Sequence, residues 1–178
     1  MEVDEPITIV DYNPEWPRWF ADEQARLLGG LGDAATYIEH IGSTAVPGLV
    51  AKPIIDLLAG LSAFPPSGRQ IAVIEALGYV SLGEAGVPGR WYFRKRGPRS
   101  CNLHLTLHGG DLWRNNLLLR DFLHAHPHEA AAYGRHKQDL VAAGARTLLA
   151  YSEQKAAIIA ALIQKAAKWN ETNGFTSQ

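Results

Sequence analysis

Cysteine is all but absent from this chain. Cys101 stands alone among 178 residues, so an internal disulfide is excluded, and a lone thiol fits a reducing compartment. An excess of one charge is missing too. Lys and Arg number 17 against 18 Asp and Glu, a net charge of −1, which gives no basis for a polyanion-binding surface or for bulk nucleic acid as partner. No long apolar run occurs: AAIIAALI at 156–163 is the most apolar stretch late in the chain, far short of the roughly 20 residues that span a bilayer. The opening MEVDEPITIV is acidic where a signal peptide would be basic. Neither a P-loop nor a Rossmann glycine fingerprint is present, since GEAGVPG at 83–89 has the wrong spacing and no helix after it. Internal repeats and low-complexity linkers are lacking. The expectation is a cytoplasmic protein with no membrane partner.

What is there fits one compact unit. Hydrophobic residues make up 47% of the chain, enough for a real core. Asn13 and Pro14 read as the N-cap and first position of a helix carrying Trp16, Phe20, Leu27 and Leu31, with Gly29-Gly30 at its end. Strands are expected at Tyr37–Ile41 and Ile54–Ala59, the second apolar enough to be central. A short helix through Ile71, Ile74 and Leu77 stops at Gly78. Tyr79–Leu82, Trp91–Arg96 and Asn102–Leu107 follow as strands, with Leu103, Leu105 and Leu107 facing the core. From Leu112 to Trp169 the pattern is three helices, broken near HAHPHE at 124–129 and AAGA at 142–145. Strands first and helices last define an α+β class. The predicted domain covers 1–170, with a sheet-rich core at 7–110, a helical region at 112–169 and a loose polar tail at 171–178.

The chemistry concentrates in HIGSTAVPGLVAKPIIDLLAG at 40–60. A Gly-Ser turn leaving a strand offers backbone N–H groups and a hydroxyl to phosphate oxygens, and Gly42 permits close approach. Asp56 lies on a strand whose alternation sends Ile54, Asp56 and Leu58 one way and Ile55 and Leu57 the other. An ionised carboxylate there needs a cation, a metal or several donors. Two readings are open: Asp56 holds Mg²⁺ beside a phosphate cradle, or it accepts hydrogen bonds from the Gly42–Gly48 loop and fixes it.

The segments YNPEWPRWFADEQARL (12–27), EHIGSTAVPGLVAKPIIDLL (39–58), GEAGVPGRWYFRKRGPR (83–99), LHL (103–105) and LRDFLHAHPHEAAAY (119–133) together resemble the GrpB family, in the family's order, from about residue 7 to residue 163. That resemblance implies a nucleotidyltransferase-like mixed sheet with flanking helices. It implies a site made of a Gly-Ser loop, a strand with two carboxylates one residue apart, and a third carboxylate on a later strand. This chain keeps Gly42, Ser43 and Asp56 but has Leu58 where the second acid would stand. His104 and Thr106 occupy the later strand in place of an acid, and Asn102 or Cys101 stands where the family usually has histidine. The resemblance implies a nucleoside triphosphate ligand and, as an enzyme, nucleotidyl or phosphoryl transfer to a small acceptor. The alternative is a non-catalytic nucleotide-binding or folding-assistance module, as in GrpB-like domains fused to dephospho-CoA kinase.

The candidate residues follow. Asp56 and His104 carry the catalytic expectation. Gly42, Ser43, Thr44, Lys52 and Arg90 carry the phosphate or nucleotide, Arg90 because its fork is bidentate and always charged. Lys52, aimed by Pro53, neutralises a phosphate or else pairs with Glu39. Metal ligands are expected from Asp56, Glu39, His40 and Glu84, with His40 meeting Asp56 at the sheet edge. His124, His126 and His128 alternate, but Pro127 breaks the element that would converge them, so a helix boundary is expected there. Arg120-Asp121 is expected to brace the sheet against the helices.

Overall fold

The computed structural model describes residues 4–32 and 37–173. Five strands, β1 (Tyr37–Ile41), β2 (Ile54–Leu61), β3 (Val80–Ser81), β4 (Arg90–Lys95) and β5 (Ser100–Leu107), form one sheet in the order β1-β2-β5-β4-β3. β2 and β5 run parallel and every other pair antiparallel. Two helices, α1 (Trp16–Leu31) and α2 (Gly68–Ala76), precede the last strands; α3 (Asp111–Ala125), α4 (Pro127–Ala142) and α5 (Leu148–Asn173) follow them. This α+β arrangement, a mixed sheet with flanking helices and a helical C-terminal region, is the one the family resemblance implies. No described helix is long and apolar enough to cross a membrane.

Alternation along the strands divides the molecule into two layers. Ile55, Leu57, Ala59 and Leu61 of β2 join Leu103 and Leu105 of β5 and Phe93 of β4 in a core closed by Trp16 and Leu27 of α1 and Ile74 of α2. Leu58 looks the other way and packs with Ile41 and with Trp113 and Leu117 of α3. Both faces of β2 are therefore covered, which is why its sequence is an unbroken apolar run interrupted by one carboxylate. α1 comes close to α2 at Gly30, where a methyl group would stand 3.1 Å from Val73. Within the first layer the buried Glu23 accepts the Tyr79 hydroxyl at 2.9 Å and pairs with Lys95.

Several boundaries differ from expectation for physical reasons. Helix α1 begins at Trp16, not at Pro14: Pro17 fills the first turn and Glu15 occupies the N-cap. Asn13 instead accepts the Glu15 N–H and shapes the preceding turn. β3 is only two residues long, because Tyr92 accepts from Leu82 N–H while donating to Gly83 carbonyl. Two residues there face one, and the ladder ends in a bulge. β2 runs on to Leu61, and β4 and β5 start at Arg90 and Ser100. Leu107, expected in the core, is 45% exposed at the strand end. Residues 171–173 of the expected tail continue α5, with Thr172 Oγ1 donating to Lys168 carbonyl; 174–178 lie outside the described residues. The histidine-rich break at 124–129 is a helix junction, as expected: His124 bonds Ala45 carbonyl, and His126 bonds Phe122 carbonyl and stacks on that ring.

The N-terminal segment ties the layers together. Glu5 carbonyl accepts Leu148 N–H, Asp4 Oδ1 accepts Leu149 N–H, and Val10 pairs with Ala51. Asp4 thus occupies the first turn of α5, where a negative charge is favoured. Leu57, fully buried at the centre of the sheet, tests the core: Leu57→Ala should lower the unfolding free energy by about 2–5 kcal/mol, read as a reduced urea midpoint at unchanged slope.

Candidate functional site

The register places Asp56 in a row of side chains on the helical-layer face of the sheet. Its strand partners are Ile41 on β1 and Asn102 on β5, and Asn102 in turn pairs with Arg94 on β4. The next row on that face is Glu39, Leu58, His104 and Tyr92. Lys52 lies before β2, across a bend in which Ile54 N–H donates to Lys52 carbonyl at 2.8 Å, and its Nζ comes back to within 4.0 Å of Asp56 Oδ1. The turn after β1 supplies the rest. Gly42 has φ +71°, and a Cβ there would stand 2.8 Å from Asp56 Oδ2, so only glycine lets the loop lie against the carboxylate.

Asp56 is satisfied by protein groups. Asn102 Nδ2 donates to its Oδ1 at 2.6 Å, His104 Nε2 faces the same oxygen at 3.6 Å, and Lys52 Nζ stands at 4.0 Å. The Asn102 amide is itself held, since Arg96 donates to its Oδ1 at 3.0 Å while forming an ion pair with Glu5. A relay from Glu5 through Arg96 and Asn102 therefore orients the carboxylate. Burial alone would raise the Asp56 carboxyl, but the Lys52 ammonium, His104 and Asn102 together hold it well below the usual carboxylate range. Burial drives His104 toward its neutral form, against the pull of Asp56.

A cavity of about 560 Å³ opens between this face and α3–α5, within the size range of small-ligand sites. Gly42, Ser43, Thr44, Lys52, Asp56, Arg90 and His104 all line it. Glu39, His40 and Glu84 do not. Glu39 pairs with Arg120 at 2.7 Å, and Arg120 also bonds His40 carbonyl and Asp121, bracing sheet against helix as expected. Lys52 accordingly pairs with Asp56 rather than with Glu39. His40 pairs with Leu57 in the register and so points to the face opposite Asp56, where it bonds Thr44 Oγ1 and stacks on Phe20; burial there pushes its ring down to about 4. Their expected meeting at the sheet edge does not occur, because one residue of offset puts them on opposite faces. Glu84 accepts Gly89 N–H at 3.0 Å and shapes its own loop.

The metal expectation can be weighed against this donor set. Among the described residues no three His, Cys, Asp or Glu converge as an ion's ligands. The one carboxylate in the cavity has an ammonium 4.0 Å away, Leu58 is fully buried against Trp113 and Leu117, and the two other acids expected as ligands are occupied elsewhere. Magnesium prefers carboxylates and waters in octahedral geometry. These residues do not fit it.

Positive charge is the cavity's dominant feature. Arg90 sits over the Tyr92 ring at 4.8 Å, donates to Glu84 and Ala85 carbonyls, and keeps its buried Nε without a partner. Two lysines that the sequence reading missed also line it. Lys137 on α4 is 1% exposed and Lys155 on α5 is half-buried. Neither forms an ion pair with a carboxylate among the described residues. Each follows a tyrosine by four residues, Tyr133 and Tyr151, and lies over its ring at 4.6 and 4.9 Å. Two Tyr-x-x-x-Lys pairs on alanine-rich helices were the available sequence signal, since that spacing stacks the pair on one helix face.

The fold and this glycine–serine, carboxylate and cation constellation define an α+β protein with a cavity rich in basic side chains, and comparison with known proteins gives its relations. The family described as GrpB protein matches residues 6–165; the chain belongs to the GrpB family. It is 34% identical over 173 residues to UPF0157 protein YqkA of Bacillus subtilis, a match covering 94% of this chain and 50% of that protein, so the chain spans about half that relative's length. A crystal structure of conserved protein GrpB from Enterococcus faecalis superposes with a TM-score of 0.79 at 32% identity, covering 90% of this chain and 98% of that one. A match at 27% identity covers 72% of this chain and 38% of a dephospho-CoA kinase from Mycolicibacterium paratuberculosis.

Acid stability tests the Asp56 geometry. A buried His40 held neutral costs stability as pH falls from about 6.5 to 4. Asp56, with its depressed carboxyl, contributes in full above the ordinary carboxylate pKa and loses that contribution as pH falls below it. Asp56→Asn should therefore leave the upper limb of a melting-temperature profile intact, flatten the limb below pH 4, and cost about 1–3 kcal/mol at neutral pH.

Proposed function

We propose that the cavity binds a phosphorylated small molecule, a nucleotide being the class its size favours, and holds the phosphates with protein cations rather than with a divalent metal. The observation that carries this reading is the charge imbalance: Lys52, Lys155 and Arg90 line a space whose one carboxylate among the described residues, Asp56, is shared by Lys52 and Asn102. Buried cations without counter-ions are costly, and an anionic ligand supplies what the protein withholds. The Arg90 guanidinium, whose buried Nε has no protein partner, is part of the same lining. The Ser43 hydroxyl stands at the mouth of the Gly-Ser turn, where a phosphate oxygen has close backbone access. Apolar side chains, Leu119 and Ile159 among them, line the remaining wall and suit a base or another flat group.

Two-metal nucleotidyl transfer asks for ligands to two ions, and the lone Asp56 does not provide them. Under this reading Asp56 is a positioning residue, which holds Lys52 and the Gly42 turn in place. Binding of a phosphorylated ligand, with no part for a two-metal transfer, is therefore the function we assign, and it accords with the similarity to part of a dephospho-CoA kinase, of which the match covers 38%.

Calorimetric titration with ATP tests the proposal. Burial lowers the Lys155 amine to about 8, so an anion should bind more weakly as pH rises through that value and should draw a proton when it binds. We expect affinity to fall at least about tenfold between pH 6.5 and 9.5, equivalent to some 1.4 kcal/mol, and Lys155→Ala to abolish most of that pH dependence. Affinity unchanged by both pH and substitution overturns the assignment.

A further inference from the structure

We propose that Ser43 is a nucleophile and Lys137 its general base, the pair taking a phosphoryl group from the phosphorylated ligand onto Ser43 Oγ. The ligand class rests on the reading above; the nucleophile does not. Lys137 is not arranged as a phosphate ligand. Its Nζ lies 2.9 Å from Ser43 Oγ, is hydrogen-bonded to Val50 carbonyl, and stands 4.6 Å from the Tyr133 ring centroid. It is 1% exposed, and no carboxylate pairs with it among the described residues.

A buried ammonium wants a carboxylate. Here a hydroxyl, a carbonyl and a ring face stand around it instead, so no opposite charge offsets its burial and the proton is easily given up. As an ammonium, Nζ donates to the Ser43 hydroxyl and the Val50 carbonyl and lies over the Tyr133 ring. Once it gives up a proton, the Val50 bond and the ring contact remain and the lone pair faces the Ser43 hydroxyl. The surroundings favour this state. Burial, reinforced by the Lys155 charge across the cavity, brings the Lys137 amine down to about 7. Tyr133 on its own helix lies against it, and the cavity it shares is also lined by Tyr151 on α5 and, from the sheet side, by Lys52, Asp56, Arg90, Tyr92, Arg94 and His104, with Arg120 on α3. A serine activated by a neighbouring neutral lysine is an established form of nucleophilic catalysis.

The step balances without a further reactant. Ser43 Oγ attacks phosphorus and its proton passes to Lys137 Nζ. The new O–P bond forms as the bond to the leaving oxygen breaks, and the leaving oxygen takes the electron pair. Lys52, Lys155 and Arg90 face the charge that develops. Attack of water on the phosphoserine reverses the proton's path and restores Ser43 as inorganic phosphate departs. No ligand to a metal is required at any point.

The test uses a fluorophosphonate, a phosphorus electrophile that carries neither nucleotide nor charge, followed by intact-mass and peptide-mass analysis of the full chain. We expect one adduct, on Ser43, absent from Ser43→Ala, with a labelling rate that rises with pH to a plateau and has its midpoint near 7. Lys137→Met should slow labelling by about 10²-fold or more and remove the pH dependence. No adduct, an adduct on another residue, or a wild-type rate that does not change between pH 5.5 and 9 overturns the proposal. The wild-type pH profile decides the matter if Lys137→Met does not fold. Labelling of Ser43 without ATP binding in calorimetry would keep the nucleophile and remove the nucleotide as its ligand class; ATP binding without labelling would do the reverse.

Discussion

A carboxylate in the middle of an apolar central strand is tolerable only if other groups meet it, and much of this molecule is arranged to do so. Asp56 draws Asn102 from the parallel neighbour strand, Lys52 from the segment before its own strand, and His104 from one row further along. It also fixes the identity of residue 42, because nothing larger than hydrogen fits between the turn and Oδ2. Through Asn102 and Arg96 the network reaches Glu5, whose segment also receives the first N–H groups of α5. One charge thus links the sheet, the glycine-serine turn and the C-terminal helix. Removing either partner of such a set leaves the other unpaired in a poorly solvated place, which costs more than the pair contributes.

The same carboxylate sets the electrostatic character of the cavity by being insufficient. Among the described residues lining the cavity, one carboxylate faces Lys137 and Lys155 from two helices and Lys52 and Arg90 from the sheet side. Burial answers part of the imbalance by lowering the two lysines on the helices, to about 7 and about 8. Lysines with such values behave differently from surface lysines. On the proposed reading Lys155 meets an anion, while Lys137 lies against the Ser43 hydroxyl. On the proposed reading the site does without the two metal ions that a pair of carboxylates would hold; Leu58, the next residue after Asp56 on the same strand face, is buried against Trp113 and Leu117.

Local pattern carried most of the framework. The alternation in Ile54–Ala59 and Asn102–Leu107 identified both central strands, and the order of strands before helices gave the α+β class. What failed at the edges depended on neighbours: Pro17 moved the start of α1, and a bulge opposite Tyr92 shortened β3. The Gly-Ser turn and Asp56 were legible because their residue types are costly in an apolar segment and so need a reason. Asn102 was legible only as a departure from the family pattern; its worth lies in an amide whose two ends face Asp56, its register partner on β2, and Arg96, which lies just past the end of β4. Lys137 and Lys155 come from helices more than 80 residues after the turn they face. Nothing local distinguishes them from surface lysines except the tyrosine one turn earlier. His40 was misplaced by a single residue of alternation, the smallest error that exchanges one face of a sheet for the other.

The central claim, that protein cations and not a metal hold the ligand's phosphates, is most directly tested by the melting temperature of the chain with ATP in excess EDTA and again in excess Mg²⁺. A ligand that binds only the folded state stabilises by mass action. The account predicts a clear upward shift in EDTA, no larger in Mg²⁺, and strongly reduced in Lys52→Ala. A shift seen only when Mg²⁺ is present would contradict it.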